Sequence, residues 1–212
     1  MRKANAHPPF NIILLGDPAA GKATQAEYIV KKYGLYDFDM GKELTLLRAR
    51  DASVDARLKV KTDKGNLSPT EIVRGIIKEK IATTPKTQGI LFDGHPKMLG
   101  EAKLIAKLLH EQGRGKPLVM YLTIPTTETI ERIQKRKGYF AGKFGKRADD
   151  SVVALKNRVS YYRKNVSQVI EFFQSKYTYK KISGMGTREE VKAVVVSAIE
   201  KYLKNIDTTS NK

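Results

Sequence analysis

The sequence predicts an α/β fold, with a five-stranded parallel sheet and helices on both of its faces. Short apolar runs bounded by turn residues alternate along the chain with longer segments whose apolar residues recur at helical spacing. Such alternation is typical of parallel strands that are joined by helices. The chain has 212 residues, 41% of them hydrophobic, which is enough to bury a full core in one domain.

Apolar runs predict the strands of this sheet. They cover residues 11–15, 36–38, 89–92, 118–124 and 177–182. Amphipathic segments predict the helices, at residues 22–33, 42–50, 69–80, 101–112, 127–137, 149–175 and 188–203. Two segments interrupt the alternation, the helical material at 42–80 and the Gly/Lys-rich stretch at 137–146, and we expect both to move relative to the sheet.

The composition predicts a basic protein of a reducing compartment. Lys and Arg number 40 against 22 Asp and Glu, a formal net charge of +18, and there is no cysteine for disulfides or thiolate metal sites. No apolar run is long enough for a signal peptide or a membrane span, so we expect a cytoplasmic protein without a membrane partner. Aromatic residues are not interleaved with the scattered basic ones, which favours a generally basic surface over specific nucleic-acid binding.

The motif G-D-P-A-A-G-K-A-T-Q at residues 16–25 follows the first predicted strand and opens the first predicted helix. Its glycines let the backbone turn tightly and direct N–H groups inward, its lysine adds a positive charge, and the helix presents its positive end. The motif therefore predicts binding of a nucleoside triphosphate, the alternative being an ordinary corner between a strand and a helix. The loop residues expected to contact the phosphates are Gly16, Pro18, Ala19, Ala20, Gly21, Lys22, Ala23 and Thr24.

Further motifs follow in order along the chain. Residues 64–73 read K-G-N-L-S-P-T-E-I-V, residues 89–97 read G-I-L-F-D-G-H-P-K, and residues 182–184 read I-S-G. Arginines flank the Gly/Lys-rich stretch on both sides, namely Arg132, Arg136, Arg147 and Arg158. Together with the phosphate-binding loop, these ordered motifs make residues 10–202 similar to the adenylate kinase family of nucleoside monophosphate kinases.

The resemblance implies a fold and a reaction. The fold would be the P-loop nucleoside monophosphate kinase fold, a single kinase domain over residues 1–212 with a mobile monophosphate-binding segment at about 40–80 and a short lid at about 137–147 that lacks zinc-binding cysteines. The reaction would be transfer of the γ-phosphoryl group of ATP to AMP with Mg²⁺ as cofactor, by a monomer whose partners are nucleotides. The alternatives are a kinase for another monophosphate such as GMP, or a catalytically weak nucleotide-binding protein associated with RNA.

The resemblance also implies roles for single residues. Lys22 would hold the β- and γ-phosphates, and Gly184 would lie in the loop whose backbone holds the adenine of ATP. Asp93 would organise Mg²⁺ through its water shell, with Thr24 beside the ion. The four flanking arginines would surround the transferring group, since a guanidinium binds two phosphate oxygens at once.

The acceptor half departs from the family pattern. Where the family has T-G-D-x-L-R, residues 40–45 read M-G-K-E-L-T, so we expect Arg48, one turn further along the helix, to replace the missing arginine. Lys97 replaces a second phosphate-binding arginine. Glu101 replaces a glutamine that reads adenine, so it either suits guanine better than adenine or only serves the start of its helix, where a carboxylate is favoured. The acceptor residues implied by the resemblance are Met40, Gly41, Arg48, Leu67, Val73, Gly94, Lys97 and Glu101.

Overall fold

The computed structural model describes residues 7–53, 56, 70–135, 138–140, 143–145 and 152–210. The main strands are β1 (Ile12–Gly16), β2 (Tyr36–Asp39), β3 (Ile90–Asp93), β4 (Leu118–Thr123) and β7 (Tyr179–Ser183). They form one sheet in the order β2-β3-β1-β4-β7, and each neighbouring pair is parallel. This sheet confirms the predicted fold class and the predicted strands.

Helices cover both faces of the sheet and agree with the predicted ones except at their ends. They are α1 (Lys22–Tyr33), α2 (Met40–Arg50), α3 (Thr70–Thr83), α4 (Leu99–Glu111), α5 (Thr126–Lys135), α6 (Val152–Gln174) and α7 (Arg188–Ser210). The start of α2 at Met40, rather than at residue 42, has a local cause. The Asp39 carboxylate accepts hydrogen bonds from the backbone N–H groups of Gly41 (2.8 Å) and Lys42 (3.3 Å), which caps the helix earlier than apolar spacing indicates.

The core consists of two apolar clusters, one on each face of the sheet. On β1, Ile12 and Leu14 pack toward α1 and α7, whereas Ile13 and Leu15 pack toward α3, α4 and α6. Successive side chains of a strand point to opposite faces, so a strand that is covered on both sides must be apolar throughout. This requirement explains why β1 is a continuous apolar run in the sequence.

A short antiparallel hairpin lies apart from the main sheet. Its strands, β5 (Gly138–Phe140) and β6 (Lys143–Gly145), pair with Tyr139 opposite Phe144. The sequence predicts a Gly/Lys-rich movable segment here and no strand. Strands of three residues are too short to show the alternation on which strand prediction depends.

Arg114 fixes the connection between α3 and β3 from inside the protein. Its side chain is buried, and its guanidinium donates hydrogen bonds to the carbonyl groups of Ile81, Thr84 and Gln88 at and beyond the end of α3. The last carbonyls of a helix have no partner within the helix, so a buried helix end needs donors from elsewhere. Arg114 supplies them.

We predict that Arg114→Met destabilises the fold without affecting activity directly. The substitution leaves several buried carbonyls without a donor, which costs about 3 kcal/mol of unfolding free energy. For a domain of this size the melting temperature should fall by roughly 6–12 °C, measured by circular dichroism. Lys116→Met, which removes a nearby exposed charge, is the control and should melt like the parent protein. A shift for Arg114→Met no larger than that of the control would contradict the assignment.

Candidate active site

The carboxyl ends of β1, β2 and β3 meet at one edge of the sheet, where α/β proteins bind their ligands. The register places Asp39, the last residue of β2, beside Asp93, the last residue of β3. It also pairs Leu14 of β1 with Asp93, and the loop after β1 therefore begins within two residues of this carboxylate along the strand. The predicted phosphate-binding loop and Asp93 of the motif at 89–97 are thus neighbours.

The loop between β1 and α1 has the backbone conformation of a phosphate cradle. A Cβ on Gly16 would lie 2.7 Å from the Leu122 carbonyl oxygen, so only glycine fits there. Ala19 has a φ of +60° and Gly21 a φ of +89°, which turn the chain into α1. No side chain caps α1, so the N–H groups of its first turn are available to an anion.

Lys22 lies between this loop and β3. Its Nζ donates hydrogen bonds to the carbonyl oxygens of Gly16 (2.9 Å) and Asp17 (3.4 Å). Its Cε lies 3.6 Å from the position that a Cβ on Gly94 would take. Burial is the main cause that lowers the pKa of Lys22 to about 8; Lys97 acts in the same direction, whereas Asp93 and Asp17 oppose the change. The ammonium group is therefore held inside the cradle, at its ordinary charge near neutral pH.

The carboxylate of Asp93 is buried near two other carboxylates, and both conditions disfavour its charged form. Burial raises its pKa to about 6, and the nearby carboxylates of Asp39 and Asp37 act in the same direction. A bound cation would relieve both effects, and carboxylate and hydroxyl oxygens are the ligands that Mg²⁺ prefers. Among the described residues no group of three or more His, Cys, Asp or Glu could enclose a metal. The donor set fits an ion held chiefly by nucleotide phosphates and water, with Asp93 and the exposed Thr24 hydroxyl beside it.

The start of α2 differs from the family pattern in charge and in geometry. Lys42, in place of the family aspartate, forms ion pairs with Asp37 (2.6 Å) and Asp39 (3.8 Å), and the hydrogen bond that it donates to Asp37 raises its pKa. Thr45, in place of the family arginine, donates its hydroxyl to the Gly41 carbonyl at 2.8 Å. Lys42 and Thr45 therefore both bind neighbouring groups of the protein. The half-buried Arg48 lies three residues after Thr45 on the same helix.

Apolar acceptor residues lie inside the core. Met40 and Val73, which the resemblance implies for the acceptor site, are 7% and 5% exposed and belong to the cluster on the α3 face of the sheet. They pack within this cluster and offer a ligand little surface of their own.

Glu101 is buried, and its carboxylate caps the start of α4. Its Oε2 accepts hydrogen bonds from the backbone N–H groups of Lys97 (2.8 Å) and Met98 (3.4 Å). Burial raises its pKa, while these backbone bonds, Lys97 and Arg74 lower it. The geometry supports the second of the two interpretations of Glu101, a carboxylate that serves the start of its helix.

Arg132 is the one flanking arginine whose side chain lies in the described part of the chain. Its Nη1 donates to the Ala19 carbonyl at 3.4 Å, and its Nε pairs with Glu128 at 2.5 Å. The Arg132 side chain thus contacts the phosphate-binding loop, and the ion pair with Glu128 on the same helix fixes its orientation. Arg136, Arg147 and Leu67 lie outside the described residues. The backbone of Arg158 lies on α6, and its side chain is outside the part of the chain that the structure describes.

The loop after β7 contacts the phosphate-binding loop directly. The backbone N–H of Gly184 donates to the Thr123 carbonyl at 2.9 Å, and a Cβ on Gly184 would lie 2.8 Å from the Ala20 carbonyl oxygen. The two loops thus pack with no room for a side chain at position 184.

His95 has the properties of a core residue. It is 1% exposed, its ring packs against Phe38 and Phe92, and burial lowers its pKa to about 3. Burial therefore keeps the ring neutral, although its hydrogen bond to Asp93 acts in the opposite direction. The Nδ1–H donates to the Asp93 carbonyl at 3.2 Å and so supports the chain beside the aspartate.

The sequence motif assigns no role to the side chain of Asp17, the second residue of the loop. Asp17 is completely buried and accepts hydrogen bonds from the Tyr121 hydroxyl (2.7 Å) and the Ile124 backbone N–H (3.1 Å). Arg163 of α6 binds both of its oxygens, at 3.1 and 2.8 Å. Burial alone would raise the pKa of Asp17, but the bonds from Arg163, Tyr121 and Ile124 lower it below its ordinary value. An acidic residue inside a predicted phosphate-binding loop signals that a cation must compensate it.

No helix in the described ranges is both long enough and apolar enough to cross a membrane.

Comparison with known proteins places the chain in a family. The family model described as Adenylate kinase matches residues 14–178. Adenylate kinase of Phocaeicola vulgatus is 30% identical over 192 residues, which cover 91% of this chain and 99% of that protein, and the adenylate kinase of Bacteroides thetaiotaomicron matches equally well. Adenylate kinase of Geotalea daltonii is 28% identical over 213 residues, covering 90% of this chain and all of its own length. The chain therefore belongs to the adenylate kinase family and is a phosphotransferase.

Proposed function

We propose that this protein transfers the γ-phosphoryl group of ATP to AMP, as an ATP- and Mg²⁺-dependent adenylate kinase. The observation that carries the proposal is the position of Lys22, inside the loop cradle and next to Asp93. Phosphoryl transfer needs in-line positioning of two nucleotides and neutralisation of charge on the moving oxygens, with little covalent chemistry from side chains. Lys22 lies in the loop at the start of an uncapped helix, and this arrangement positions the phosphates of ATP.

On the donor side, the N–H groups at the start of α1 and the Lys22 ammonium bind the β- and γ-phosphates. Arg132, which already reaches the loop, lies over the ATP side of the cleft. Mg²⁺, when bound with ATP, neutralises charge on the β- and γ-phosphates, and Asp93 and Thr24 are the residues that would hold it. The loop at Gly184 contributes backbone groups for the adenine.

On the acceptor side, Lys97 and Arg48 bind the phosphate of AMP beside Gly94. Glu101 fixes the backbone of Lys97 through the hydrogen bond at 2.8 Å and so directs the lysine without touching the base. The segment at 40–80 encloses the base with Leu67, and Met40 and Val73 support this segment from the core. The lid at 137–147, with Arg136 and Arg147, and Arg158 after it, closes over the triphosphate and excludes water.

We further propose that a single kinase domain acts as a monomer in the cytoplasm, in nucleotide biosynthesis, with nucleotides as its partners. The absence of cysteine from the chain agrees with a reducing compartment. The charge of +18 attracts ATP, AMP and other polyanions to the surface through long-range electrostatics, without a dedicated nucleic-acid partner.

Lys22→Met tests the donor site. The substitution keeps the size of the side chain but removes a charge aimed at the transferring phosphate, so we expect kcat to fall by at least about a hundredfold. ADP formation from ATP and AMP in a coupled assay measures it, and Lys31→Met, an exposed lysine on the same helix, is the matched control. Retention of more than about one tenth of the parental kcat by the Lys22 variant would contradict the proposed function.

Glu101→Gln tests the acceptor assignment. Since the carboxylate binds the backbone at the start of α4, we expect the ratio of kcat/KM for AMP to that for GMP to change by less than about threefold. The assay compares AMP, GMP, CMP and UMP as acceptors for both proteins. Glu111→Gln, at the exposed end of the same helix, is the control. A rise of about tenfold in the AMP-to-GMP ratio, equivalent to about 1.4 kcal/mol, would instead assign Glu101 to reading the base.

Gly184→Ala tests whether the loop after β7 sets the ATP site. The added methyl group would lie 2.8 Å from the Ala20 carbonyl, so the phosphate-binding loop must shift. We expect KM for ATP to rise about tenfold while KM for AMP stays within about twofold, because only the donor loop moves. The control is Lys180→Ala, at an exposed position of β7, which should leave both KM values unchanged. Equal increases in both KM values would argue against a donor-specific role.

A further inference from the structure

An ion pair between Asp17 and Arg163 anchors the phosphate-binding loop on the side away from the cradle. Asp17 directs its carboxylate away from the cradle, toward the end of β4 and α6, where it is completely buried. The backbone of the same residue is fixed as well, since its N–H donates to the Leu122 carbonyl at 2.9 Å and its carbonyl accepts from Ala20 at 3.1 Å. Asp17 is therefore held by both its main chain and its side chain.

Arg163 is the cation of this pair, and it binds three parts of the molecule at once. Its Nε and Nη2 form a two-pronged contact with Asp17, at 3.1 and 2.8 Å. The remaining contacts are to the Ile124 carbonyl (2.7 Å) and to the hydroxyl of Thr126 (2.8 Å), the first residue of α5. The guanidinium thus joins the loop, the helix that carries Arg132 and α6, the helix that follows the lid.

The loop that Arg163 anchors contains a strained position. Ala19 has a φ of +60°, a left-handed conformation that residues other than glycine adopt at a cost. Strained conformations persist where the surrounding contacts over-determine them, and Asp17, two residues before, supplies such contacts. The Gly16 and Asp17 carbonyls, which receive the Lys22 ammonium, belong to the same short stretch.

We propose that Arg163 is a positioning residue for ATP: through Asp17 it holds residues 16–19 in the conformation that binds the triphosphate. The proposal rests on the proposed function, because it assumes that this loop binds ATP. It concerns the donor side alone, since none of the groups bound by Arg163 belongs to the acceptor residues. Its effect should therefore fall on KM for ATP.

Steady-state kinetics of Arg163→Met and Arg163→Lys test the proposal. We expect Arg163→Met to raise KM for ATP by at least about tenfold and to change KM for AMP by less than about twofold. Arg163→Lys keeps the charge but loses the two-pronged contact, so its KM for ATP should lie between those of Arg163→Met and the parent. Lys164→Met, an exposed neighbour on α6, removes the same charge and should leave both KM values unchanged.

A double variant guards against simple unfolding. Arg163→Met alone leaves the Asp17 carboxylate buried without its cation, which destabilises a fold, whereas Asp17→Ala combined with Arg163→Met removes both charges. We expect the double variant to melt close to the parent in circular dichroism and still to show the raised KM for ATP. Adding Ala19→Gly to it should recover part of the ATP affinity, because glycine adopts the left-handed conformation without the anchor.

Each outcome separates the proposal from its basis. If the double variant folds and keeps the parental KM for ATP, Arg163 does not position the loop. If the KM values for ATP and AMP rise together with a lower melting temperature, the pair only stabilises the fold. If Lys22→Met also leaves the rate unchanged, the proposed function fails instead.

Discussion

Charges that a fold removes from water have to be paired, and at the carboxyl end of this sheet the pairings determine the shape of the cleft. Parallel strands bring Asp39 and Asp93 side by side, and the loop after β1 adds Asp17. Asp17 binds Arg163 of a distant helix, and Asp39, like Asp37, forms an ion pair with Lys42 at the start of α2.

Asp93 differs from the other two carboxylates in what faces it. Its raised pKa shows that the protein's own cations, Lys22 and Lys42, compensate its burial incompletely. A site of this kind is suited to a mobile cation that arrives with a substrate, since a permanent partner would occupy the place of the incoming phosphate. In our proposal the donor half of the cleft depends on that arrangement. In the acceptor half, Lys42 and Thr45 bind local partners, and we propose that Lys97 and Arg48 bind the second phosphate.

The fold could be predicted from the sequence because its determinants are local. Central strands covered on both faces, such as β1 and β4, must be continuously apolar, and the amphipathic helices show their spacing directly. The phosphate-binding loop was equally visible, because glycine, lysine and a helix start follow one another within a few residues. The β5–β6 hairpin was not, since its strands are too short for a pattern, and the start of α2 was missed because the cap of Asp39 acts before the apolar spacing begins.

The site was predictable only where its contacts are close in sequence. The capping role of Glu101 depends on backbone groups three and four residues away, and it was one of two interpretations open to the sequence analysis. The partner of Asp17 lies 146 residues further along the chain, and no spacing rule connects the two. Likewise, Arg114 reads as an ordinary loop arginine until the carbonyls at the end of α3 are seen around it.

The uncapped start of α1 links the thermodynamics of this protein to its supply of substrate. The first N–H groups of this helix have no side-chain cap, so a bound anion stabilises the start of the helix. The stability of the native state therefore rises with the logarithm of the ligand concentration once that concentration exceeds the dissociation constant. A cell rich in nucleotides then protects the chain from local opening and from proteases, whereas depletion exposes it.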